Sequence, residues 1–235
     1  MHDHALPAPR TPGAAGRLPV LVGLGIALGG PALHGLAGAA GAMDGLDMTQ
    51  RLLLGEAVQW GLGAAVLAVA LLWEGRPLSS LGLRRPGWRT LGTGALAALG
   101  LLVLLAGSRA LIGAFSGPEG GQDGGMLALM RSLPVWAVLL LALRAGVVEE
   151  ILFRGYAIGR LEELTGSTRL AAALSLAVFV AVHLRAWSPA HLLFVGIAGG
   201  ALTAMFLWRR DLGAAIVAHV LTDAAGLLAA HYSAA

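Results

Sequence analysis

The stretch LPVWAVLLLALRAGVVEEILFRGYAIGRL, residues 133–161, is a long apolar run interrupted by a few charged residues. A helix needs about 20 apolar residues to cross the roughly 30 Å hydrocarbon core of a bilayer. The rest of the chain is equally apolar, since 57% of its 235 residues are hydrophobic and only 12% are charged. A soluble domain carries about 25% charged residues. The stretch therefore indicates one helix of a membrane protein.

Seven runs of this kind follow one another along the chain. They are Leu18–Ala40, Leu52–Trp73, Thr90–Phe115, Leu133–Leu161, Thr168–Trp187, Pro189–Trp208 and Leu212–Ala230. Because the runs are continuous rather than alternating, they predict helices that satisfy their own backbone in lipid, not barrel strands. We therefore expect an all-α fold, a polytopic membrane bundle of about seven transmembrane helices.

The predicted organisation is a flexible polar tail, residues 1–17, and one membrane-embedded domain, residues 18–235. The first run resembles a signal peptide, but it is longer than a signal core, so we expect a retained helix kinked at Pro31. Arginines concentrate between Glu74 and Arg89, whereas the connections on either side are acidic. This bias predicts an inside N-terminus.

Composition excludes several classes of protein and site. The absence of cysteine excludes disulfides, thiolate metal sites and iron–sulfur clusters. The net charge of +3 comes from arginines scattered between apolar blocks, so no nucleic-acid partner is expected. Lys and Asn are absent while Ala, Gly and Arg are abundant, which suggests a GC-rich bacterial genome. We expect a multi-pass protein of the bacterial cytoplasmic (inner) membrane.

Four charged residues in the fourth run indicate a site, because each ionisable group costs roughly 2.5–3.5 kcal/mol inside a membrane helix. Glu150 and Arg154 are four residues apart and are predicted to form an ion pair. Glu149 points about 100° away on an α-helix, where only Arg144 is a neighbour. A structural alternative is that all four charges form one buried network that only fixes packing.

Two histidines and a third carboxylate occur in later runs. His183 lies in the fifth run, and His219 and Asp223 lie one turn apart on the seventh. Counted from a turn near Gly166, Glu149 and His183 are each 17 residues away and are predicted to lie level, whereas His219 is offset by roughly 10 Å. Such residues can hold a metal or an activated water. The remaining histidines of the runs and the C-terminus, His34, His191 and His231, are interpreted as structural or interfacial.

Three patterns on successive runs resemble the motifs of the CPBP intramembrane proteases, also called the CAAX protease and bacteriocin-processing or Abi family. The patterns are Glu149-Glu150-x-x-x-Arg154, Phe179-x-x-x-His183 and His219-x-x-x-Asp223, within about residues 133–230. The resemblance implies a helical endopeptidase that cleaves a peptide bond in or near the membrane. It implies that Glu149 is the general base and His183 helps to hold the water. Glu150, held by Arg154, would be a brace.

The resemblance places His219 and Asp223 on the opposite wall, where family members stabilise an oxyanion or, in the metalloprotease description, bind metal. Prenyl-processing members usually have Asn at the position of Asp223, and an ionised Asp cannot donate a hydrogen bond. This departure favours a protonated Asp223 or a metal-ligand role. A zinc ion held by Glu149, His183, His219 and Asp223 is therefore a hypothesis.

Two other functions are compatible with the sequence. One is a non-catalytic immunity or scaffold protein of the same fold, and the other is a proton-coupled transporter that uses buried Glu and His as relays. No repeated half with matching broken helices is visible, which disfavours a transporter. The best-known targets of the family are prenylated CAAX proteins, which bacteria generally lack. The expected partners are therefore the lipid bilayer and a peptide or protein substrate such as a precursor or leader.

Overall fold

The computed structural model describes residues 14–116, 124–185 and 187–233, and its regular structure in these ranges is helical, with no strand in them. The helices are α1 (Ala14–Leu24), α2 (Gly30–Ala39), α3 (Met48–Ala68), α4 (Trp88–Ser116), α5 (Gly124–Ser132), α6 (Val135–Arg144), α7 (Gly159–Thr165), α8 (Thr168–Ala181), α9 (Pro189–Arg209) and α10 (Leu212–Tyr232). Wider π-helical segments cover Gly25–Gly29, Val69–Trp73 and Ala145–Ile158, and a 3-10 turn covers Leu78–Leu81. The all-α prediction is confirmed. Of the predicted tail, residues 1–13 lie outside the described part, and α1 begins at Ala14.

Five stretches of these helices are long and apolar enough to cross a membrane. They are Gly16–Ala39, Met48–Trp73, Trp88–Ala110, Pro189–Arg209 and Leu212–Tyr232. Their large side chains point largely outward, as at Leu72 and Val103, which are 84% and 74% exposed. Apolar surface of this extent is unfavourable in water and is matched by lipid. The protein is a multi-pass membrane protein.

The predicted number of about seven membrane helices is not confirmed, because two of the seven runs differ from the other five. Run Leu133–Leu161 is helical from Val135 onward, but it carries several charges and is covered by other helices. Run Thr168–Trp187 forms only the 14-residue helix α8, since the chain leaves the helix after Ala181. The first of these runs therefore differs from the five lipid-exposed spans in its charge, and the second differs in the length of its helix.

The π-helical segment Ala145–Ile158 lies at the centre of the bundle and contacts α3, α6, α7, α8 and α10. Nearly all of its side chains are buried. It packs closely on α10, because a Cβ on Gly146 would lie 2.7 Å from the backbone nitrogen of Val220. Its hydrogen bonds run from i to i+5, a geometry that is rare and frequent at functional sites. The central segment therefore differs from the α-helix that the sequence predicts there.

The N-terminal run changes from α-helical to π-helical geometry just before Pro31, where the sequence predicts a kink. Pro31 lies in the first turn of α2, directly after the π-helical segment Gly25–Gly29. Proline lacks an N–H and clashes with the carbonyl four residues before it, so the helix widens at that point. A Cβ on Gly30 would lie 2.6 Å from the side chain of Leu62, which places α2 close against α3.

Gly166 ends α7 and starts the hairpin that leads into α8. Its φ of +69° is left-handed, a conformation that glycine adopts without strain. Ser167 then caps α8 by accepting a hydrogen bond from the backbone N–H of Leu170. The turn predicted near Gly166 is confirmed, and it directs α8 back along the central π-helical segment.

Candidate active site

Glu149 lies in the central π-helical segment and shares an arginine with a second carboxylate. Arg144 Nη1 is 3.0 Å from Glu149 Oε1, and Arg144 Nε is 3.2 Å from Glu56 Oε1 on α3. The side chains of Glu149 and Glu56 are only 15% and 7% exposed. A spacing of five residues suits a π-helical turn, which brings Arg144 and Glu149 together. Glu149 is therefore held by an ion pair at the edge of the buried core.

His183 lies in the turn that follows α8, rather than inside a long membrane helix as predicted. Its Nδ1 is 2.7 Å from the backbone oxygen of Phe179. A carbonyl oxygen only accepts, so Nδ1 carries the proton and, in the neutral ring, Nε2 is an acceptor. The rings of His183 and Phe179 also pack with centroids 4.9 Å apart. The orientation of the imidazole is thus fixed by its own turn.

A cavity of about 190 Å³ brings Glu149 and His183 together. It is lined by Pro31, His34, Gly35, Gln59, Glu149, Phe153, Val182 and His183. Its volume is sufficient for several waters, and its walls provide the two to four polar partners that a bound water needs. The prediction that Glu149 and His183 lie level on either side of the Gly166 turn agrees with this shared cavity.

Sequence reasoning missed two residues of this cavity. His34 was interpreted as structural or interfacial, and Gln59 was not considered, yet both line the cavity. Neither belongs to a recognisable motif, and both lie in the first two membrane-crossing stretches. The one available signal was that each is a polar residue inside an apolar run.

Glu150, the next residue of the central segment, belongs to a second group of residues. It is fully buried, and its Oε1 accepts hydrogen bonds from Arg154 Nη1 at 2.9 Å and from His219 Nδ1 at 2.8 Å. The predicted Glu150–Arg154 ion pair is confirmed. Asp223 Oδ2 lies 3.5 Å from His219 Nε2, so the His219 ring stands between two carboxylates.

Arg154 connects this group to α8 and α9. Its Nη2 donates to the backbone oxygen of Gly199 at 3.0 Å, and its Nε is 3.4 Å from Thr203 Oγ1. The guanidinium lies 4.3 Å from the centre of the Phe179 ring, the residue that also holds His183. A Cβ on Gly199 would lie 2.9 Å from the same ring, so this position has no room for a side chain. Arg154 therefore fixes the central segment against two helices.

The four residues considered as zinc ligands are not brought into one group. Among the residues that the structure describes, no group of three or more His, Asp or Glu could hold a metal ion. Glu149 and His183 line the cavity, whereas His219 and Asp223 contact each other next to Glu150. The sequence-based expectation of a single ligand set is corrected accordingly.

A separate charged network lies at the other end of the central segment. Glu74 accepts from Tyr156 Oη at 2.5 Å and from Arg160 Nε at 2.8 Å. Glu163 forms two hydrogen bonds with Arg76, one of them 2.8 Å long. The bond to Glu163, together with both nearby carboxylates, raises the pKa of the Arg76 guanidinium above its ordinary value. This network joins the connection after α3 to α7.

One comparison with known proteins finds a match. The family described as Type II CAAX prenyl endopeptidase Rce1-like matches residues 131–225, which contain all seven residues of the three motifs. This confirms the resemblance to the CAAX proteases. The match leaves out the first four helices, which carry His34, Glu56 and Gln59. Neither a curated protein nor a solved structure matches the chain.

Proposed function

We propose that the protein, whose residues 131–225 match the Rce1-like family of type II CAAX prenyl endopeptidases, hydrolyses a peptide bond in or near the membrane. The observation that carries the proposal is the cavity between helices that both Glu149 and His183 line. A carboxylate and an imidazole around a water-sized space can activate a water for attack on a carbonyl carbon.

The proposed reaction begins with a water between Glu149 and Nε2 of His183, both of which accept its hydrogens. Glu149 takes one proton as the water oxygen bonds to the peptide carbonyl carbon, which forms a tetrahedral oxyanion. Glu149 then gives the proton to the peptide nitrogen as the C–N bond breaks. The products are a carboxylic acid and an amine, and Glu149 returns to its starting state.

We assign a positioning role to Glu150, Arg154, His219 and Asp223. Both ring nitrogens of His219 face carboxylates, which supports a structural link between the central segment and α10 rather than direct contact with the oxyanion. Arg154 forms the corresponding link to α8 and α9. Together these contacts would hold the segment that carries Glu149 in register with the cavity.

The substrate class follows from the family and from composition. The family description names prenylated CAAX peptides, in which a lipid-modified cysteine lies three residues before the C-terminal residue. Composition favours a bacterial cytoplasmic membrane and a peptide without a prenyl group. We propose that a membrane-associated peptide is the substrate and that the prenyl group is dispensable.

The test uses purified protein in liposomes and two quenched fluorescent peptides, one ending in a farnesylated CAAX sequence and one identical but without the lipid. Cleavage by wild-type protein should fall about 10²–10⁴-fold in Glu149→Gln, because the general base is lost. Cleavage should also fall in His183→Ala. Glu162→Gln, in α7 and outside the cavity, is the matched control and should retain activity.

Unchanged cleavage in both Glu149→Gln and His183→Ala would overturn the proposal. When neither peptide is cleaved, the membrane proteomes of cells that carry wild-type protein or Glu149→Gln are compared for new peptide termini. The absence of any Glu149-dependent terminus would also overturn it. Metal content of the purified protein and activity after chelation test the zinc hypothesis separately.

A further inference from the structure

The cavity that holds Glu149 and His183 requires hydrogen-bond donors as well as acceptors. An ionised Glu149 offers acceptors only, and Nε2 of His183 is an acceptor because Nδ1 donates to Phe179. A peptide carbonyl that enters the cavity is another acceptor, and it gains negative charge when water attacks. Catalysis of this step depends strongly on donors placed at that oxygen. The question is which side chains provide them.

The nearby cationic side chains are already engaged. Arg144 lies between Glu56 and Glu149, and Arg154 is bound by Glu150 and by backbone and side-chain oxygens of α9. His219 lies between Glu150 and Asp223 and is not among the cavity residues. None of these three side chains is among the residues that line the cavity.

His34 and Gln59 are the remaining polar residues that line the cavity. A neutral imidazole has one N–H donor and the amide of Gln59 has two. Neither side chain has a hydrogen-bond partner within residues 14–116, 124–185 and 187–233. A Cβ on Gly55 would lie 3.7 Å from His34 Nε2, and Gly55 is one turn before Gln59 on α3. The imidazole of α2 is therefore next to the face of α3 that carries the amide.

We propose that His34 and Gln59 are further catalytic residues, which donate hydrogen bonds to the carbonyl oxygen of the scissile peptide bond and to the oxyanion that replaces it. This inference rests on the proposed peptidase function. It divides the site between two parts of the chain. The acceptors that activate water lie in the family-matched residues 131–225, and the donors that stabilise charge lie on α2 and α3, outside that match.

The test measures kcat and KM for cleavage of the farnesylated and unmodified fluorescent peptides. Gln59→Leu removes the two N–H donors of the side-chain amide. Gln59→Glu replaces the amide by a carboxylate of nearly the same shape, whose oxygens accept hydrogen bonds. Each should lower kcat about 10²–10³-fold and change KM by less than about threefold, because an oxyanion donor acts mainly in the transition state. His34→Leu should show the same pattern. His34→Gln keeps an N–H donor and should recover most of the lost kcat.

Matched controls carry the same changes outside the cavity. Gln50→Leu alters the first turn of the same helix α3, and His231→Leu alters the end of α10. Both controls should retain wild-type kcat. Melting temperatures in detergent identify any variant that fails to fold. If Gln59→Leu or His34→Leu does not fold, the polar variants Gln59→Glu and His34→Gln still test the inference.

Two results would overturn the inference. One is a kcat within threefold of wild type in folded Gln59→Leu and His34→Leu, and the other is a loss confined to KM. When Glu149→Gln is inactive in the same assay, these results leave the proposed peptidase intact and remove only the donor assignment. A wild-type protein with no Glu149-dependent cleavage overturns the peptidase proposal and the donor assignment together.

Discussion

The two ends of the central π-helical segment carry buried charges in different states. At the end near α7, both carboxylate oxygens of Glu74 accept hydrogen bonds, from Tyr156 and Arg160. At the end near α6, one oxygen of Glu150 and one of Glu56 are buried without a partner among the described residues. A network that only stabilises a fold gains from complete pairing, whereas a site for water and substrate needs free acceptors. The comparison supports the proposal that the α6 end is the functional one.

The largest effect that separates the two ends is expected from removing their buried arginines. Arg154→Met leaves Glu150 with His219 alone, whereas Arg160→Met leaves Glu74 with Tyr156 and the more distant Arg76, whose Nε is 3.7 Å away. Each change should destabilise the protein by up to about 3–5 kcal/mol, because a buried carboxylate loses its shortest ion pair, and the loss should be smaller in Arg160→Met. Thermal unfolding in detergent measures this loss, and kcat per folded molecule is measured in the same preparations.

The two variants should differ in activity. Arg154→Met should lower kcat about tenfold or more, since the central segment loses its contacts with Gly199 and Phe179. Arg160→Met should retain the kcat of wild type in the folded fraction. Equal loss of kcat in both variants would contradict a division into a structural and a functional end.

Much of the fold was predictable from the sequence, because lipid imposes simple rules on length and polarity. Five of the seven apolar runs correspond to helices that can span a membrane. The other two runs differ because hydropathy does not report which charges are buried by neighbouring helices or where a helix ends. The π-helical geometry of Ala145–Ile158 was not predictable either, since it arises from packing against several helices.

The candidate site was predictable in part. The Glu150–Arg154 pair follows from helical spacing, and the closeness of Glu149 to His183 follows from counting on either side of Gly166. The position of His219 beside Glu150 was not foreseen, because helix tilt and register are set by tertiary contacts. His34 was missed for a different reason, since a single polar residue in an apolar run carries no spacing pattern.

A smaller loss of stability is expected from Tyr156→Phe at the end near α7. The change removes the hydrogen bond to Glu74 and leaves a buried carboxylate oxygen unpaired. A hydrogen bond to a charged group contributes about 1.5–3 kcal/mol, so the free energy of unfolding should fall by about that amount and the protein should melt at a lower temperature. Peptide cleavage at a temperature where the variant is folded should be unchanged. A loss of kcat would show that this end also acts in catalysis.

Two glycines allow a comparison of the two ends by packing alone. A Cβ on Gly146 would meet the backbone of Val220, and a Cβ on Gly23 would lie 1.8 Å from the Tyr156 hydroxyl. Gly146→Ala and Gly23→Ala should each cost about 1–3 kcal/mol through overpacking. Gly146→Ala should also lower kcat several-fold because it moves α10, which carries His219. Gly159→Ala is the control, because nothing lies within 4 Å of a Cβ at that position. Similar kcat values for Gly146→Ala and Gly23→Ala would contradict the division into a functional and a structural end.

The smallest change in stability is expected where two carboxylates share Arg144. Glu56→Gln and Glu149→Gln each remove one negative charge and keep an oxygen that can accept from the guanidinium. Each should alter stability by less than about 1 kcal/mol, since the lost attraction is offset by a lower cost of burying charge. Their activities should differ sharply, because Glu149 lines the cavity and Glu56 does not. Cleavage should persist within about threefold in Glu56→Gln and fall at least about 10²-fold in Glu149→Gln. Equal inactivation by both changes would mean that the charge balance around Arg144, and not a base at Glu149, controls the reaction.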